Sequence, residues 1–92
     1  MKKRGLYQLK DTEKNIKEYT LSVLTEDKAG LLNHITIIFN RRKINIDSLN
    51  VSSTEVKGVS RFTIVVNSSK EKIIKVVNHI NKLIDVLAAF LY

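Results

Sequence analysis

The chain has 92 residues, a formal net charge of +7, a sequence pI of about 9.8 and no cysteine. A chain of this length forms one domain, and without cysteine it has neither a disulfide framework nor a thiolate metal site. No apolar run approaches the ~20 residues that span a bilayer, and no apolar segment of a secretory signal follows the basic start. The sequence therefore predicts a cytoplasmic protein without membrane contact, and its positive charge permits an anionic partner such as nucleic acid.

Residues 1–18 are mostly polar and show no sustained hydrophobic period, which predicts a loosely ordered basic arm. Its cluster Lys2, Lys3 and Arg4 is typical of a solvated tail, although such a cluster could also contact phosphates. The folded domain is expected over residues 19–92.

From Tyr19 onward the hydrophobic pattern alternates between strand and helix. Residues 19–25 place Leu21 and Val23 on one side with a period of two, as in a half-buried strand. Residues 31–42 then repeat apolar side chains at helical spacing. This helix leaves its polar side chains to solvent, namely Asn33, His34, Asn40 and Arg41.

The segments 44–54 and 59–67 predict a β-hairpin whose turn ends at Gly58. A shift of the apolar phase in the first of these strands predicts a β-bulge near Asp47 and Ser48. The second strand directs its apolar residues inward, namely Phe62, Ile64 and Val66.

A second helix and a fourth strand complete the domain. Ser68 followed by Glu71 predicts a capping box at the start of a helix over residues 68–83. The apolar stripe of that helix consists of Ile73, Val76, Val77, Ile80 and Leu83. Residues 84–92 predict the last strand. The order β-α-β-β-α-β is that of the ferredoxin-like α+β fold, in which right-handed crossovers place both helices on one face of a four-stranded antiparallel sheet.

Two surfaces of this predicted sheet remain uncovered. The open face is expected to carry polar residues, too polar for a core and too neutral for a strong phosphate surface: Thr20, Ser22, Asn50, Ser52, Arg61 and Thr63. The second strand is expected at the sheet edge and bears apolar residues, Ile44, Ile46, Leu49 and Val51. A long apolar edge favours pairing with another copy of the chain, so the sequence predicts a homodimer formed through residues 45–51.

Catalysis finds little support in the sequence. The two histidines, His34 and His79, fall on the outer faces of different helices, with no cysteine or carboxylate cluster to complete a metal site or a triad. Glu26 and Asp27 precede a helix, where acidic residues most often cap its positive end. The sequence therefore predicts no catalytic residue and no metal ligand.

RNA binding is an alternative interpretation, because RNA recognition motifs share this element order. They stack bases on a central strand patterned K/R-G-F/Y-G/A-F-V-x-F/Y. Here KGVSRFTI, residues 57–64, places Val59, Arg61 and Ile64 where rings are required, and its aromatic Phe62 faces the helices by alternation. Each missing ring forfeits ~1–3 kcal/mol of stacking per base, so RNA binding is the less favoured function.

The junction TEDKAGLLNH, residues 25–34, favours the binding of a small ligand instead. A strand that turns through a glycine into a helix leaves backbone N–H groups unpaired at the positive end of the helix dipole, where they can hold a carboxylate. Gly30 would let the ligand approach closely. The competing interpretation is that Asp27 only caps the helix.

From Tyr19 to its end the chain resembles the ACT domain of the acetolactate synthase (acetohydroxyacid synthase) small, regulatory subunit. Three motifs carry the resemblance in combination: E-[ND]-x-x-G-x-L at 26–32, R-R-x-x-N-I-[DE]-S-L at 41–49 and S-R-x-T-I-V at 60–65. The resemblance implies a subunit of branched-chain amino acid biosynthesis that has no active site or cofactor of its own. It implies a partner, the catalytic (large) subunit, which uses thiamine diphosphate, Mg and FAD and which this subunit activates and makes sensitive to feedback inhibition by valine or a related amino acid.

The resemblance also implies where the effector binds. In ACT dimers of this family it lies between the loop that opens the first helix of one protomer and the second strand of the other. On this chain the resemblance assigns to the effector the loop Asp27, Lys28, Ala29, Gly30, Leu31 and Leu32, together with Asn45 of the partner strand. An asparagine amide can donate to a carboxylate and accept from an ammonium group.

Two departures from the family pattern carry expectations of their own. Lys43 stands where the family often has glycine, so the turn into the second strand is expected to be reshaped. The sequence stops at Tyr92, where family members often continue into a second domain.

Overall fold

The computed structural model describes residues 16–26 and 29–92, so most of the predicted arm lies outside the described residues. The elements, in chain order, are β1 (Lys17–Glu26), α1 (Ala29–Arg41), β2 (Ile46–Ser53), β3 (Val59–Ser68), α2 (Lys70–Asn81) and β4 (Val86–Leu91). The strands form one antiparallel sheet in the order β2-β3-β1-β4. This architecture confirms the ferredoxin-like α+β fold.

The two central strands form the longest ladder of the sheet. β1 and β3 pair from Lys17 opposite Ser68 to Glu26 opposite Val59. Leu21 lies on the helix-facing side of this ladder and is fully buried, as the alternation predicts. β1 begins two residues before the predicted boundary at Tyr19 because its pairing with β3 already starts there.

One apolar core fills the space between the sheet and the two helices. Its buried members are Leu21, Val23, Leu31, Ile35, Ile38, Phe39, Ile44, Phe62, Ile64, Val66, Ile73, Val76, Ile80, Val86 and Ala89. The predicted stripe of α2 is confirmed, since its remaining members Val77 and Leu83 also pack partly against this core. Burial of one large apolar side chain contributes about 1.5–3 kcal/mol, so the core is the main source of stability.

The predicted bulge and hairpin are both present. The β2–β3 register shifts between Ile46 and Ser48, which is the position of the expected bulge. Gly58 closes the hairpin turn with a φ of +83°, in the left-handed region that favours glycine. Thr54 holds the turn, because its hydroxyl donates to the Val59 carbonyl at 2.9 Å.

The predicted capping box of α2 is wrong by one residue. Ser68 is the last residue of β3, where it continues the inward alternation and is buried, and its hydroxyl donates to the Ser69 carbonyl at 3.0 Å. Ser69 is the N-cap, and its hydroxyl accepts the N–H of Lys72 at 3.3 Å. Glu71 therefore lies one position too early in the helix to complete a box. The helix also ends at Asn81, before the predicted end at residue 83.

The turn into β2 contains the one non-glycine residue with positive φ in the described part of the chain. Lys43 has a φ of +58° and its N–H donates to the Asn40 carbonyl at 3.0 Å. The next residue, Ile44, donates its N–H to the Phe39 carbonyl at 3.0 Å, so α1 ends in a left-handed cap. The lysine therefore adopts the conformation that glycine favours at this position.

The open face of the sheet is less polar than the sequence suggests. Ser22 is fully buried there, and the half-buried Arg61 donates to its hydroxyl at 3.5 Å. The ladders also place Leu24, Val59 and Val65 on this face. In residues 16–26 and 29–92, no helix has the length and apolar content needed to cross a bilayer.

Candidate functional site

The junction between β1 and α1 is anchored to the segment that precedes β4. The hydroxyl of the buried Thr25 donates to the Asp85 carbonyl at 2.8 Å. The backbone N–H of Glu26 donates to the same carbonyl at 3.1 Å. Two hydrogen bonds to one carbonyl thus fix the end of β1, three residues before α1 begins at Ala29. No motif in the sequence marks this anchor.

The residues that the resemblance assigns to the effector loop differ in how far they are exposed to a ligand. Asp27 and Lys28 lie outside the described residues, so their roles stay predictions. Leu31 is only 4% exposed and belongs to the core, so it anchors the first turn of α1. Gly30 is exposed, and a Cβ atom added to it would meet no atom within 4 Å. Leu32 is 37% exposed and offers apolar surface beside it.

Asn45 is exposed and lies at the opposite end of the protomer from Gly30. It precedes Ile46, which the two ladders align through β3 with Tyr19, near the start of β1. Gly30 follows the other end of β1, beyond Glu26. The seven steps along β1 from Tyr19 to Glu26 span about 23 Å at a strand rise of roughly 3.3 Å per residue. A single protomer therefore cannot bring Gly30 and Asn45 to one amino acid.

β2 is an edge strand whose outer backbone can accept a second chain. The N–H of Thr54 donates to the Val59 carbonyl at 3.2 Å, and antiparallel ladders alternate between inward and outward pairs. Leu49, Val51 and Ser53 therefore direct their N–H and C=O groups away from β3. The Val51 side chain is 52% exposed. Such a row of outward groups is a template for pairing with another strand.

Of the four apolar residues expected along this edge, Ile44 lies elsewhere. It belongs to the turn before β2 and is 3% exposed, with its side chain in the core of its own protomer. Ile46 and Leu49 pack partly against the same core. Val51 therefore presents most of the apolar surface of the edge. Pairing with a second chain would thus depend more on the outward backbone groups of β2 than on its apolar side chains.

The opposite edge of the sheet is capped at Ala89 by a side chain that the sequence did not indicate. Asn81 donates from Nδ2 to the Ala89 carbonyl at 2.9 Å and accepts the Ala89 N–H at Oδ1 at 2.8 Å. The bond from the Tyr92 N–H to the Thr20 carbonyl sets the alternation of the β1–β4 ladder, in which Ala89 points its backbone groups away from β1. The amide thus takes the place of a neighbouring strand.

A groove of about 750 Å³ opens on the uncovered face of the sheet, near the hairpin turn. Its lining consists of Leu24, Ser53, Thr54, Glu55, Val56, Val59, Arg61 and Leu87. None of the described residues that the resemblance assigns to the effector lines it, so this groove is separate from the predicted site. Leu24 and Val59 are apolar residues at open-face positions of β1 and β3, and these two positions are the sequence signal that could have indicated the groove.

The described residues give little support to an enzymatic or an RNA-binding function. Within residues 16–26 and 29–92, no group of three or more His, Asp or Glu side chains could hold a metal ion. His34 is exposed on α1, and His79 is half-buried on α2. Phe62 is 6% exposed and lies in the core, as alternation predicts, so it cannot stack a base.

Sequence comparison relates the chain to one protein family. Residues 21–88 match the AHAS small subunit-like ACT domain. Over 71 residues the chain is 46% identical to the acetolactate synthase small subunit of Mycobacterium bovis, covering 77% of this chain and 42% of that protein. Over 82 residues it is 42% identical to acetolactate synthase small subunit 1, chloroplastic, of Nicotiana plumbaginifolia, covering 89% of this chain and 18% of that protein. The chain thus spans less than half the length of these relatives.

Solved structures give the same relationship. The small subunit of acetolactate synthase from Thermotoga maritima superposes with a TM-score of 0.73 and 29% identity, over 82% of this chain and 47% of that one. The ACT domain of GTP pyrophosphokinase from Chlorobium tepidum superposes with a TM-score of 0.70 over 84% of this chain and 99% of that one. At 17% identity the latter shows the fold alone.

Proposed function

The chain belongs to the family of AHAS small subunit-like ACT domains, and from this membership we propose that it regulates an acetolactate synthase. Its relatives are named as small subunits of that enzyme. In this role the chain has no active site of its own. It binds the thiamine diphosphate-dependent catalytic subunit and adjusts the rate of that subunit to the supply of a branched-chain amino acid.

The effector site is proposed to lie between two protomers. The observation that carries this proposal is the position of Gly30 and Asn45 at opposite ends of one protomer. When β2 pairs with the β2 strand of a second copy about a twofold axis, the two strands run in opposite directions. The Asn45 end of one protomer then lies at the Gly30 end of its partner, and the dimer contains two equivalent sites.

The groups at this proposed site suit an amino acid with an apolar side chain. Backbone N–H groups in the first turn of α1 lie at the positive end of its dipole and can hold a carboxylate. The open space at Gly30 lets that carboxylate approach the backbone. The exposed part of Leu32 offers apolar surface to a branched side chain such as that of valine. Asn45 of the partner can hydrogen-bond the ammonium or the carboxylate group.

An effector that contacts both protomers binds only the paired state. By linkage it must strengthen dimerisation and raise the melting temperature. At a hundredfold excess of ligand over its dissociation constant, the gain is about 2.7 kcal/mol per site. For a domain of this size such a gain is large enough to measure directly.

Thermal melting with valine, leucine and isoleucine tests the site. The Asn45→Ala variant should lose on the order of 1.5–3 kcal/mol of effector binding. Its melting temperature without ligand should stay unchanged because the side chain is exposed. Asn78→Ala is the matched control, since it removes an exposed amide on α2, outside the predicted pairing segment, and should respond as the native chain does.

Equal ligand-induced shifts in native and Asn45→Ala protein would refute the site between protomers. No shift with any of the three amino acids would refute effector binding. The native chain, added to the catalytic subunit, should also change the rate of acetolactate formation, and an unchanged rate would refute the regulatory function.

A further inference from the structure

Six cationic side chains gather at the end of the molecule where β1 begins and α1 ends. This cationic end consists of Lys17, Arg41, Arg42, Lys43, Lys70 and Lys72. Two observations bring together the segments that carry them. Lys17 lies opposite Ser68 in the β1–β3 ladder. Lys43 and Lys72 line one small cavity of about 60 Å³, although one belongs to the turn after α1 and the other to the first turn of α2.

Among the described residues, acidic side chains do not balance the charge at this end. The cationic end has six cations, and the described acids at the same end are three, Glu18, Asp47 and Glu71. Of these, Asp47 already accepts a hydrogen bond from the Asn67 side chain. At the other end of the sheet the described charges cancel, with Lys57, Arg61 and Lys82 against Glu26, Glu55 and Asp85. The excess positive charge of the described domain is therefore concentrated at the cationic end.

Lys43 contributes its charge at a conformational cost. Its φ of +58° is left-handed, which costs a residue with a side chain about 1–2 kcal/mol. Glycine would avoid that cost but would remove a cation from the rim of the cavity. Retained backbone strain often accompanies function, and here it accompanies an exposed lysine beside the half-buried Lys72.

We propose that the cationic end is a docking surface for an acidic stretch of polypeptide. This inference rests on the proposed function, in which the partner is the catalytic subunit of acetolactate synthase. The cavity has the size of a side-chain carboxylate, and Lys43 and Lys72 supply its cations while Ile16 and Ile44 supply apolar wall for the methylene groups of a glutamate. Among the described residues, no aromatic ring lines it that could stack a nucleobase. The lining therefore favours an acidic peptide over a nucleic acid.

The cationic end remains accessible in the proposed dimer. β2 lies at one edge of the sheet, whereas Lys17 belongs to a central strand and Lys72 to the helical layer. Antiparallel pairing through β2 places the two cationic ends at opposite ends of the joined sheet. One dimer thus presents two separate docking surfaces, each at the protomer end that also contributes Asn45 to a proposed effector site.

A pair of double variants with equal charge tests this surface. Lys43→Gly/Lys72→Gln removes two cations from the cavity, and glycine is favoured at position 43, so the fold should be retained. Lys57→Gln/Lys82→Gln removes two exposed cations at the other end and is the matched control. Melting of both variants checks that they fold.

Binding of a fluorescent oligoglutamate peptide is the first readout. Anisotropy is measured over roughly 0.01–1 M salt, where the Debye length falls from about 30 to about 3 Å. The cavity variant should bind about tenfold more weakly than the native chain at low salt and lose less affinity as salt rises. The control variant should bind as the native chain does. Equal weakening in both variants, or tighter binding of duplex DNA than of oligoglutamate through the same lysines, would overturn the proposal.

Binding of the catalytic subunit is the second readout, and it separates this proposal from the proposed function. If the native chain binds that subunit and the cavity variant loses about tenfold in affinity, mainly through slower association, both proposals are supported. If both proteins bind it equally, the docking surface is refuted while the function stands. If the native chain does not bind it, the function is refuted, and the oligoglutamate result alone decides whether the surface recognises acidic polypeptide.

Discussion

The two edge strands of the sheet present different backbones to their surroundings. At β4 the amide of Asn81 occupies both outward groups of Ala89. At β2 the outward groups belong to Leu49, Val51 and Ser53, and no side chain from residues 16–26 or 29–92 hydrogen-bonds to them. Among the described residues, a side chain thus occupies the β4 edge at Ala89 and none occupies the β2 edge, which favours pairing of a second copy through β2.

The difference between the edges follows from where the helices end. α2 ends beside β4, so the last residue of its final turn can reach the strand edge. β2 enters from the left-handed turn at Lys43 and leaves through the hairpin at Gly58. No hydrogen bond from a described residue reaches the outward groups of β2, so within residues 16–26 and 29–92 these groups stay available to another chain.

The largest expected effect is the loss of pairing when the outward backbone of β2 is interrupted. Val51→Pro removes an N–H that points away from β3, so the strand stays in its own sheet but cannot continue a ladder with a second chain. We expect sedimentation to show a dimer for the native chain and a monomer for this variant. Val51→Ala keeps the N–H and is the control. A Val51→Pro protein that still forms the native dimer would show that pairing uses another surface.

The next effect is the opening of the protected edge. Asn81→Ala removes two hydrogen bonds to Ala89, which should lower the free energy of unfolding by about 1–3 kcal/mol. It should also allow association through β4, seen as species larger than the dimer at high concentration. Asn78→Ala, at another exposed position of α2, should do neither. Urea unfolding and sedimentation of the two variants test this prediction. Identical results for both variants would refute the protective role of Asn81.

The smallest effect concerns the turn that leads into β2. Lys43→Gly relieves about 1–2 kcal/mol of left-handed strain but increases the entropy of the unfolded chain, at a cost of about 0.5–1 kcal/mol. We expect the free energy of unfolding to rise by up to about 1 kcal/mol, with both edges unaffected. Lys43→Ala removes the same charge and keeps the strain, so it should show no gain. A similar gain in the two variants would attribute it to charge rather than to conformation.

Much of this protein follows from its sequence because the signals are local. The period of two in Leu21 and Val23 and in Phe62 and Ile64 indicates strands with one buried side, and both strands are observed. A phase shift indicates the bulge beside Asp47. The resemblance to a family singles out Gly30 and Asn45, and the match over residues 21–88 shows that family. None of these inferences requires knowledge of which strands are neighbours.

The remaining features were decided by tertiary structure, because each depends on where distant segments meet. Ser68 and Ser69 are equivalent as caps in sequence, and pairing with β1 places the former in the strand and leaves the latter to start the helix. Ile44 shares the parity of Ile46, yet the left-handed turn directs it into the core. Asn81 protects an edge only because α2 ends beside β4. Strand order likewise places Gly30 and Asn45 at opposite ends of one protomer, which no local pattern encodes, since only the pairing of β1, β2 and β3 determines it.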